Sequence, residues 1–292
     1  MTAHADAAAP PAPAGASALA HAFRSNRTSW AGAVLLAAVV LAAVAAPLLA
    51  PADPLQQDIL ARLGPPSAEH PLGTDTYGRD VLSRLLYGAQ ISLTVGFAAI
   101  VAAVAVGGTL GIVAGYAGGL TDQIVMGAMD VLLSFPTLLL GLMVVATLGP
   151  SLENLIVAIA VTEMAPFARI ARAPTLVLKE QGFVEAGRAL GFHPVRIMAV
   201  HILPNLIAEL AVMASLWLAA AIRTEAALSF IGLGVKPPAA TWGGMIREGF
   251  ETMLDAPWLA LFPSLAVLAT VLALNLLGDG LRDAIDPKLR RE

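Results

Sequence analysis

Five ionisable side chains interrupt the long apolar stretches of this 292-residue chain. Placing a charge in a bilayer costs on the order of 2.5 to 3.5 kcal/mol, so each group is expected to face protein, water or an opposite charge. Either the groups line a polar path through the membrane, or their one cation pairs with an acid at the outer boundary; we favour the ion pair. The five residues are Asp130, Glu163, Glu209, Arg223 and Glu225.

The sequence contains no residue pattern typical of covalent catalysis. The absence of cysteine excludes disulfides, thiolate metal ligands and thiol nucleophiles. No catalytic triad, metal-binding cluster or pair of catalytic carboxylates is recognisable in the loops. The basic residues are dispersed and the net charge is −4, which argues against nucleic-acid binding. We therefore predict a protein that is not an enzyme and holds no metal or cofactor of its own.

A row of glycines recurs every four residues at Gly107, Gly111, Gly115 and Gly119. This spacing removes side chains from one face of a helix and lets a second helix approach closely. No Gly-Lys-Ser/Thr sequence follows, so the row is not a phosphate-binding loop, and any ATP must be bound by another chain. We predict a helix-packing role for Gly107, Gly111 and Gly115.

The elements around these residues are predicted to be transmembrane helices. The chain is 58% hydrophobic and 13% charged, against roughly 45–50% and about 25% in soluble domains. Backbone polar groups must be satisfied within each segment in lipid, and the Ala/Leu/Val runs lack barrel alternation. The predicted fold class is all-α, a polytopic membrane protein. Six transmembrane helices are expected at about 30–50, 91–115, 124–148, 155–170, 206–233 and 258–277.

The distribution of Lys and Arg predicts the orientation. With the N-terminus in the cytoplasm, eleven of these residues, including Arg169 and Arg172, lie on the cytoplasmic side and five lie outside. Both termini are then cytoplasmic. The expected parts are a disordered cytoplasmic tail (1–28), the first transmembrane helix (29–51), an external loop with an interfacial helix (52–90), a five-helix core (91–280) that includes a cytoplasmic polar loop (178–205), and a cytoplasmic C-terminal tail (281–292).

The polar loop has strong local signals. Apolar residues recur at helical spacing between Gln181 and Leu190, which predicts a short helix that ends at a Gly191 cap. Pro194 suits the first turn of a second short helix, and Pro204 is expected to break the chain before the fifth span. The segment is either an amphipathic connector on the lipid headgroups or a docking element for a soluble partner.

Three further segments carry local predictions. Residues 78–87 have an apolar and a polar face, which is typical of an interfacial helix. Trp242 is expected at the membrane interface. Pro136 follows Ser134 in the third predicted span, and because proline cannot donate to the carbonyl of Leu132, we expect this helix to bend.

Residues 185–187 (EAG), followed by Gly191 and by residues 202–204 (ILP), resemble the EAA loop of the inner-membrane permeases of ABC importers. The resemblance implies the type I ABC importer permease (MetI-like) fold and a short helix that fits a groove on a cytoplasmic ATPase. Gly187 replaces the alanine of the motif and weakens the helix by about 1 kcal/mol. The residues implied in ATPase coupling are Phe183, Glu185, Ala186, Gly187, Arg188, Leu190, Gly191, Leu203 and Pro204.

Other segments resemble the dipeptide, oligopeptide and nickel branch of these permeases. They are 70–75 (HPLGTD), 78–84 (GRDVLSR), 227–234 (ALSFIGLG), 237–238 with 242–243, and 278–283 (GDGLRD). The resemblance implies import of di- and oligopeptides across the cell inner membrane, with nickel chelates or glutathione as alternative cargo. It also implies a second, different permease subunit, two ATPase subunits that hold ATP and magnesium, and an external binding protein.

Two other classes of membrane protein remain as alternatives. An ion-coupled secondary transporter would use Asp130, Glu163 and Glu209 as proton relays and would need no nucleotide. A membrane scaffold would only anchor a cytoplasmic enzyme, and its outer loops could be deleted without loss of function.

Overall fold

The computed structural model describes residues 27–285, and the regular elements assigned in that range are helices. The predicted tail at 1–28 lies outside the described residues except for its last two. We number the helices α1 (Arg27–Val44), α2 (Ala46–Leu49), α3 (Val81–Ala117), α4 (Gly119–Leu133), α5 (Thr137–Leu148), α6 (Leu152–Leu178), α7 (Gly182–Ala189), α8 (Pro194–Ile231), α9 (Trp242–Glu251) and α10 (Trp258–Ile285).

Four of the helices in the described range are long and apolar enough to cross a membrane, namely α3, α6, α8 and α10. A fifth span results if α4 and α5 are counted as one broken helix. Helix α1 is apolar but shorter. The all-helical, multi-pass architecture is therefore confirmed, whereas the count of six spans stays a prediction.

The predicted bend in the third span is present and is larger than a kink. Helices α4 and α5 meet at 95° around residues 134–136. The carbonyl of Leu132 is not left free, because it accepts a hydrogen bond from the Phe135 N–H at 3.3 Å. The Ser134 hydroxyl donates to the Val131 carbonyl at 2.7 Å, so side-chain and turn contacts satisfy part of the broken helix end.

Helix α6 lies at the centre of the molecule and packs against α3, α4, α5 and α8. Its inward face contributes Leu155, Ile159 and Phe167 to the main core, and each of these side chains is fully buried. Helix α10 packs against α1, α8 and α9. Each long helix therefore packs against neighbours along part of its surface, while other apolar side chains stay exposed, as expected for helices that face lipid.

The glycine row of α3 faces α6. A Cβ atom at Gly107 or Gly111 would collide with the α6 backbone at Met164 or Ala168, and a Cβ at Gly115 would lie 3.0 Å from the Arg172 carbonyl oxygen. Only glycine lets the two helix backbones approach this closely. The close approach fixes α3 on the helix that organises the core.

The segment 78–87, predicted as an interfacial helix, does not form a helix of its own. Helix α3 begins at Val81 and continues to Ala117, so this segment is the first turns of a span. Its polar side chains are buried rather than solvated: Arg79, Asp80 and Arg84 are 2–4% exposed. Arg79 and Arg84 pair with Asp75 and with Glu248 of α9, and Asp80 contacts His70. Helical periodicity does not reveal these contacts.

The predicted break at Pro204 is also wrong. Helix α8 is 38 residues long and continues through Pro204. The second short helix predicted at Pro194 is the beginning of this same long helix. Residues Ile197–Ile202 are π-helical, so the pattern of backbone hydrogen bonds changes just before Pro204. The helix therefore accommodates a proline, which has no N–H to donate. At the other end of the chain, α10 reaches Ile285, beyond the predicted tail boundary at 281.

Candidate functional site

Helix α7 forms where the sequence predicts a short helix. It begins after Gln181, which has extended backbone geometry, and its inward face consists of Val184 and Gly187. Val184 is fully buried in the same cluster as Ile197 and Ile202 at the start of α8. One apolar stripe thus attaches α7 to the end of a long span.

The turn after α7 confirms the predicted glycine cap. Gly191 has φ +73°, a conformation that glycine adopts without the penalty other residues pay. The Gly191 N–H donates to the Arg188 carbonyl at 2.9 Å, and the Phe192 N–H donates to the Gly187 carbonyl at 3.0 Å. These bonds reverse the chain so that Pro194 starts α8 beside α7.

The outward face of α7 exposes most of the residues of the EAA resemblance. Glu185, Ala186, Arg188, Leu190 and Gly191 are exposed. Phe183 is 44% exposed and Leu190 is 73% exposed. Exposed apolar side chains beside an acid and an arginine form a surface that a partner protein can cover.

Three contacts tie this loop to the spans. The Arg188 guanidinium lies 5.2 Å from the ring centroid of Tyr116 in α3. The Lys179 ammonium donates to the Gly115 carbonyl at 3.0 Å, at the end of α3. The Phe192 ring stacks on His201 of α8 at 6.0 Å between centroids. The loop that contains α7 therefore contacts both α3 and α8.

The last two residues of the implied coupling set lie apart from the exposed face of α7. Leu203 is partly buried and packs against the core, while Pro204 is exposed on α8. Both follow directly after the π-helical segment rather than in the loop. Their place is in the base of the span that α7 contacts.

The five ionisable residues of the apolar stretches are dispersed. Asp130 lies on α4, Glu163 on α6, and Glu209, Arg223 and Glu225 on α8. Glu163 is 2% exposed and Glu225 is 0% exposed, whereas Glu209 and Arg223 are exposed. Glu225 accepts a hydrogen bond from the Ser229 hydroxyl at 2.7 Å.

The favoured ion pair of Arg223 is wrong within the described residues, where Arg223 forms no salt bridge. Asp130 pairs instead with Arg169 at 2.6 Å, and Asp122 pairs with Arg172 at 2.5 Å. The sequence interpretation counted both arginines as loop charges at the end of a short fourth span. Because α6 extends to Leu178, both arginines are helical and reach α4.

Sequence reasoning missed a buried charge cluster at the far end of α8 from α7. Arg79 Nε lies 2.6 Å from Asp75 Oδ2, and Arg84 Nε lies 3.3 Å from the same oxygen. Arg84 Nη2 contacts both Glu248 carboxylate oxygens at 3.0 and 3.1 Å. Burial raises the pKa of Glu248, and the charges of Arg84 and Arg79 oppose that shift. The signal that could have revealed this cluster is the concentration of charged residues in 70–75 and 78–84, two of the segments that resemble the peptide permeases.

Two neighbouring contacts fix the cluster. Asp80 caps α3 by accepting from the Ser83 N–H at 2.7 Å, and its other oxygen lies 3.0 Å from His70 Nδ1. Trp242, expected at the membrane interface, is instead 2% exposed. Its indole N–H donates to the Leu85 carbonyl at 3.1 Å, and this bond holds α9 against α3.

Residues 107–291 match the family described as the binding-protein-dependent transport system inner membrane component. Residues 18–66 match the N-terminal transmembrane domain of oligopeptide transport permease C.

The chain is also similar to named permeases. It is 41% identical to the dipeptide transport system permease protein DppC of Alkalihalophilus pseudofirmus, over 92% of this chain and 88% of that protein. It is 40% identical to the di/tripeptide permease DppC of Pseudomonas aeruginosa, over 92% and 90%. It is 46% identical to the glutathione permease GsiD of Pectobacterium atrosepticum, over 77% and 75%.

These matches extend over most of the chain and set aside the secondary-transporter and scaffold alternatives. They agree with the helical architecture and with the exposed, anchored position of α7. The chain belongs to the family of binding-protein-dependent transport system inner membrane components, as a multi-pass, non-catalytic permease subunit of an ABC importer.

Proposed function

We propose that this permease imports di- and oligopeptides and that α7 receives the force of ATP hydrolysis. The similarity to dipeptide and di/tripeptide permeases over 92% of the chain supports the cargo. The observation that carries the coupling role is that α7 exposes Glu185 while its buried Val184 contacts the base of α8. A push on the exposed face therefore reaches two spans without passing through a flexible linker.

The proposed complex follows from this role. The α7 end of the molecule faces the cytoplasm, both termini are cytoplasmic, and six spans cross the membrane with α1 as the first. Two ATPase subunits hold ATP and magnesium, and an external binding protein delivers cargo at the opposite end. A second, different permease completes the translocation path.

Glutathione is a second candidate cargo. The relative from Pectobacterium atrosepticum, at 46% identity, is a glutathione permease. Glutathione is itself a small peptide with free carboxylates, so the same path chemistry serves both. Chelated nickel remains an alternative from the sequence resemblance alone.

A charge reversal in α7 tests the coupling role. In vesicles that hold the whole complex, Glu185→Lys is expected to leave ATP hydrolysis in place and to lower uptake per ATP on the order of tenfold, the scale of a typical coupling free energy. Glu153→Lys, the same change in the exposed first turn of α6, is the control. Equal uptake per ATP in Glu185→Lys and wild type refutes the coupling role.

A competition assay tests the cargo. Vesicles with the wild-type complex and its binding protein are given radiolabelled dialanine with unlabelled glutathione as competitor, and the reverse. ATP-dependent uptake of dialanine that glutathione does not displace supports peptide cargo. Uptake of glutathione alone would replace the first proposal by the second.

A further inference from the structure

A cavity of about 620 Å³ opens at the end of the molecule opposite to α7. Its walls are the segment before α3, the turn after α8, and helix α9. The 38 residues of α8 separate it from α7, a distance of about 57 Å at 1.5 Å per residue. The volume falls within the range of about 300–1,000 Å³ that is usual for small-ligand sites.

The charges in the wall are unbalanced. Glu248 pairs with Arg84, and the exposed Glu251 lies 3.3 Å from Arg247 Nε. Arg79 pairs with Asp75, which lies behind the wall. Lys236 is exposed and forms no salt bridge among residues 27–285. The lining therefore has an excess of positive charge that is centred on Lys236.

Arg84 contributes an unsatisfied donor from within the wall. Its side chain is 2% exposed, and Nη1 is buried with no hydrogen-bond partner in the described part of the chain. The charge of Arg84 is balanced by Asp75 and Glu248, but a buried donor without a partner costs stability. Lys236, which forms no salt bridge in the described range, and this donor together favour an anion in the cavity.

We propose that this cavity binds the terminal carboxylate of a small peptide, with Lys236 as its ion-pair partner and the unsatisfied Nη1 of Arg84 as a hydrogen-bond donor. Tyr77 and the prolines 237 and 238 supply apolar wall for the peptide side chains. A concave site with a buried cation suits a small zwitterion better than the surface of a protein. This inference rests on the peptide cargo proposed above and adds a site for it within this chain.

Protection of Lys236 from acylation tests the proposal directly. The whole permease–ATPase complex in lipid nanodiscs, without binding protein, is treated with a soluble acetylating ester, and modification of Lys236 is followed by mass spectrometry. Dialanine at about twice its dissociation constant is expected to slow acetylation about threefold, because the occupied fraction is protected. Dialanine amide, which lacks the carboxylate, is expected to give no protection. Lys179, at the α7 end, is the internal reference.

Two variants sharpen the test. Arg247→Gln removes a cation from the wall and is expected to raise severalfold the dialanine concentration that gives threefold protection. Arg62→Gln makes the same charge change on the exposed surface outside the cavity and is expected to leave protection unchanged.

Three outcomes overturn the site: no protection by dialanine, equal protection by the amide, or protection that appears only when the binding protein is added without peptide. The last outcome assigns the cavity to the partner protein. Peptide uptake by wild-type vesicles is scored separately, so a failed cavity and a failed cargo assignment give different results.

Discussion

The two ends of α8 are held by different kinds of contact. Beside α7, the buried groups are apolar, Val184 against Ile197 and Ile202, and the charged side chains lie on the surface. At the cavity end, the buried Arg84 forms ion pairs with both the buried Asp75 and Glu248. Apolar contacts are non-directional and tolerate small displacements, whereas buried ion pairs require one geometry.

This difference suits the proposed roles. The end proposed to receive an ATPase is attached by apolar contacts, together with ring contacts at Tyr116 and His201. The end proposed to face cargo has a fixed arrangement of charge around a cavity. Under this proposal, motion that enters at α7 reaches a rigid outer frame through the long helix between them.

The largest expected effect is at the outer end. Arg84→Met removes the guanidinium that lies closest to Glu248 and leaves Arg79 alone to pair with Asp75 and Glu248. The change is expected to cost about 3–5 kcal/mol, as when one member of a buried pair is removed. Thermal unfolding of the detergent-solubilised complex, followed by tryptophan fluorescence, measures the loss. The pKa of Glu248, already raised by burial, would move further upward without the opposing charge of Arg84.

The matched control for Arg84→Met is Arg247→Met on α9. Its pair with Glu251 is exposed, with side-chain exposures of 48% and 64%, so a loss of only about 0.3–0.5 kcal/mol is expected. If the two variants unfold at the same temperature, the outer cluster does not stabilise the fold as the comparison requires.

An intermediate effect is expected where α3 rests on α6. Gly111→Ala places a Cβ against the Ala168 backbone, and overpacking of this kind costs about 1–3 kcal/mol. Gly127→Ala is the control, because a Cβ there meets nothing within 4 Å and helix propensity favours alanine by about 1 kcal/mol. The yield of monodisperse complex should fall for Gly111→Ala and stay unchanged for Gly127→Ala. Equal yields for the two variants would contradict a packing role for the glycine row.

The smallest effect is expected inside α7 and has the opposite sign. A Cβ at Gly187 would lie 3.4 Å from Phe192 Cδ2, an ordinary contact. Gly187→Ala should therefore stabilise α7 by up to about 1 kcal/mol through helix propensity alone. Slower amide hydrogen exchange in residues 182–189 would show it. Faster exchange would mean that the face against α8 is packed more tightly than the apolar contacts indicate.

Predictions that rest on neighbouring residues are confirmed by the structure. The α7 helix, its Gly191 cap and the break at Pro136 all follow from signals within a few positions along the chain. Periodicity and backbone preferences act over one or two helix turns, so the sequence carries them directly. The EAA resemblance also rests on a short stretch of the sequence, and the structure places that stretch on an exposed helix.

The predictions for Pro204 and Trp242 failed because the surrounding structure overrides the local sequence signal. Pro204 reads locally as a helix breaker, yet a π-helical register change upstream carries α8 through it. Trp242 reads as an interface residue, yet the Leu85 carbonyl and the neighbouring Ser92 hydroxyl satisfy its N–H groups in the interior. The partners of Trp242 are about 150 positions away in sequence, whereas Pro204 is accommodated by a change of backbone geometry only a few residues upstream.

The sequence by itself determined that this protein is all-helical, lies in the membrane, carries a capped polar helix and resembles a permease subunit, because composition, periodicity and turn chemistry are local. Only the tertiary structure decided which charges are buried together. Residues 75–84 and Glu248 are separated by more than 160 positions, and only the packing of α9 on α3 brings them into one cluster. A buried charge is stabilised by its ion-pair partner, and the sequence alone does not identify that partner.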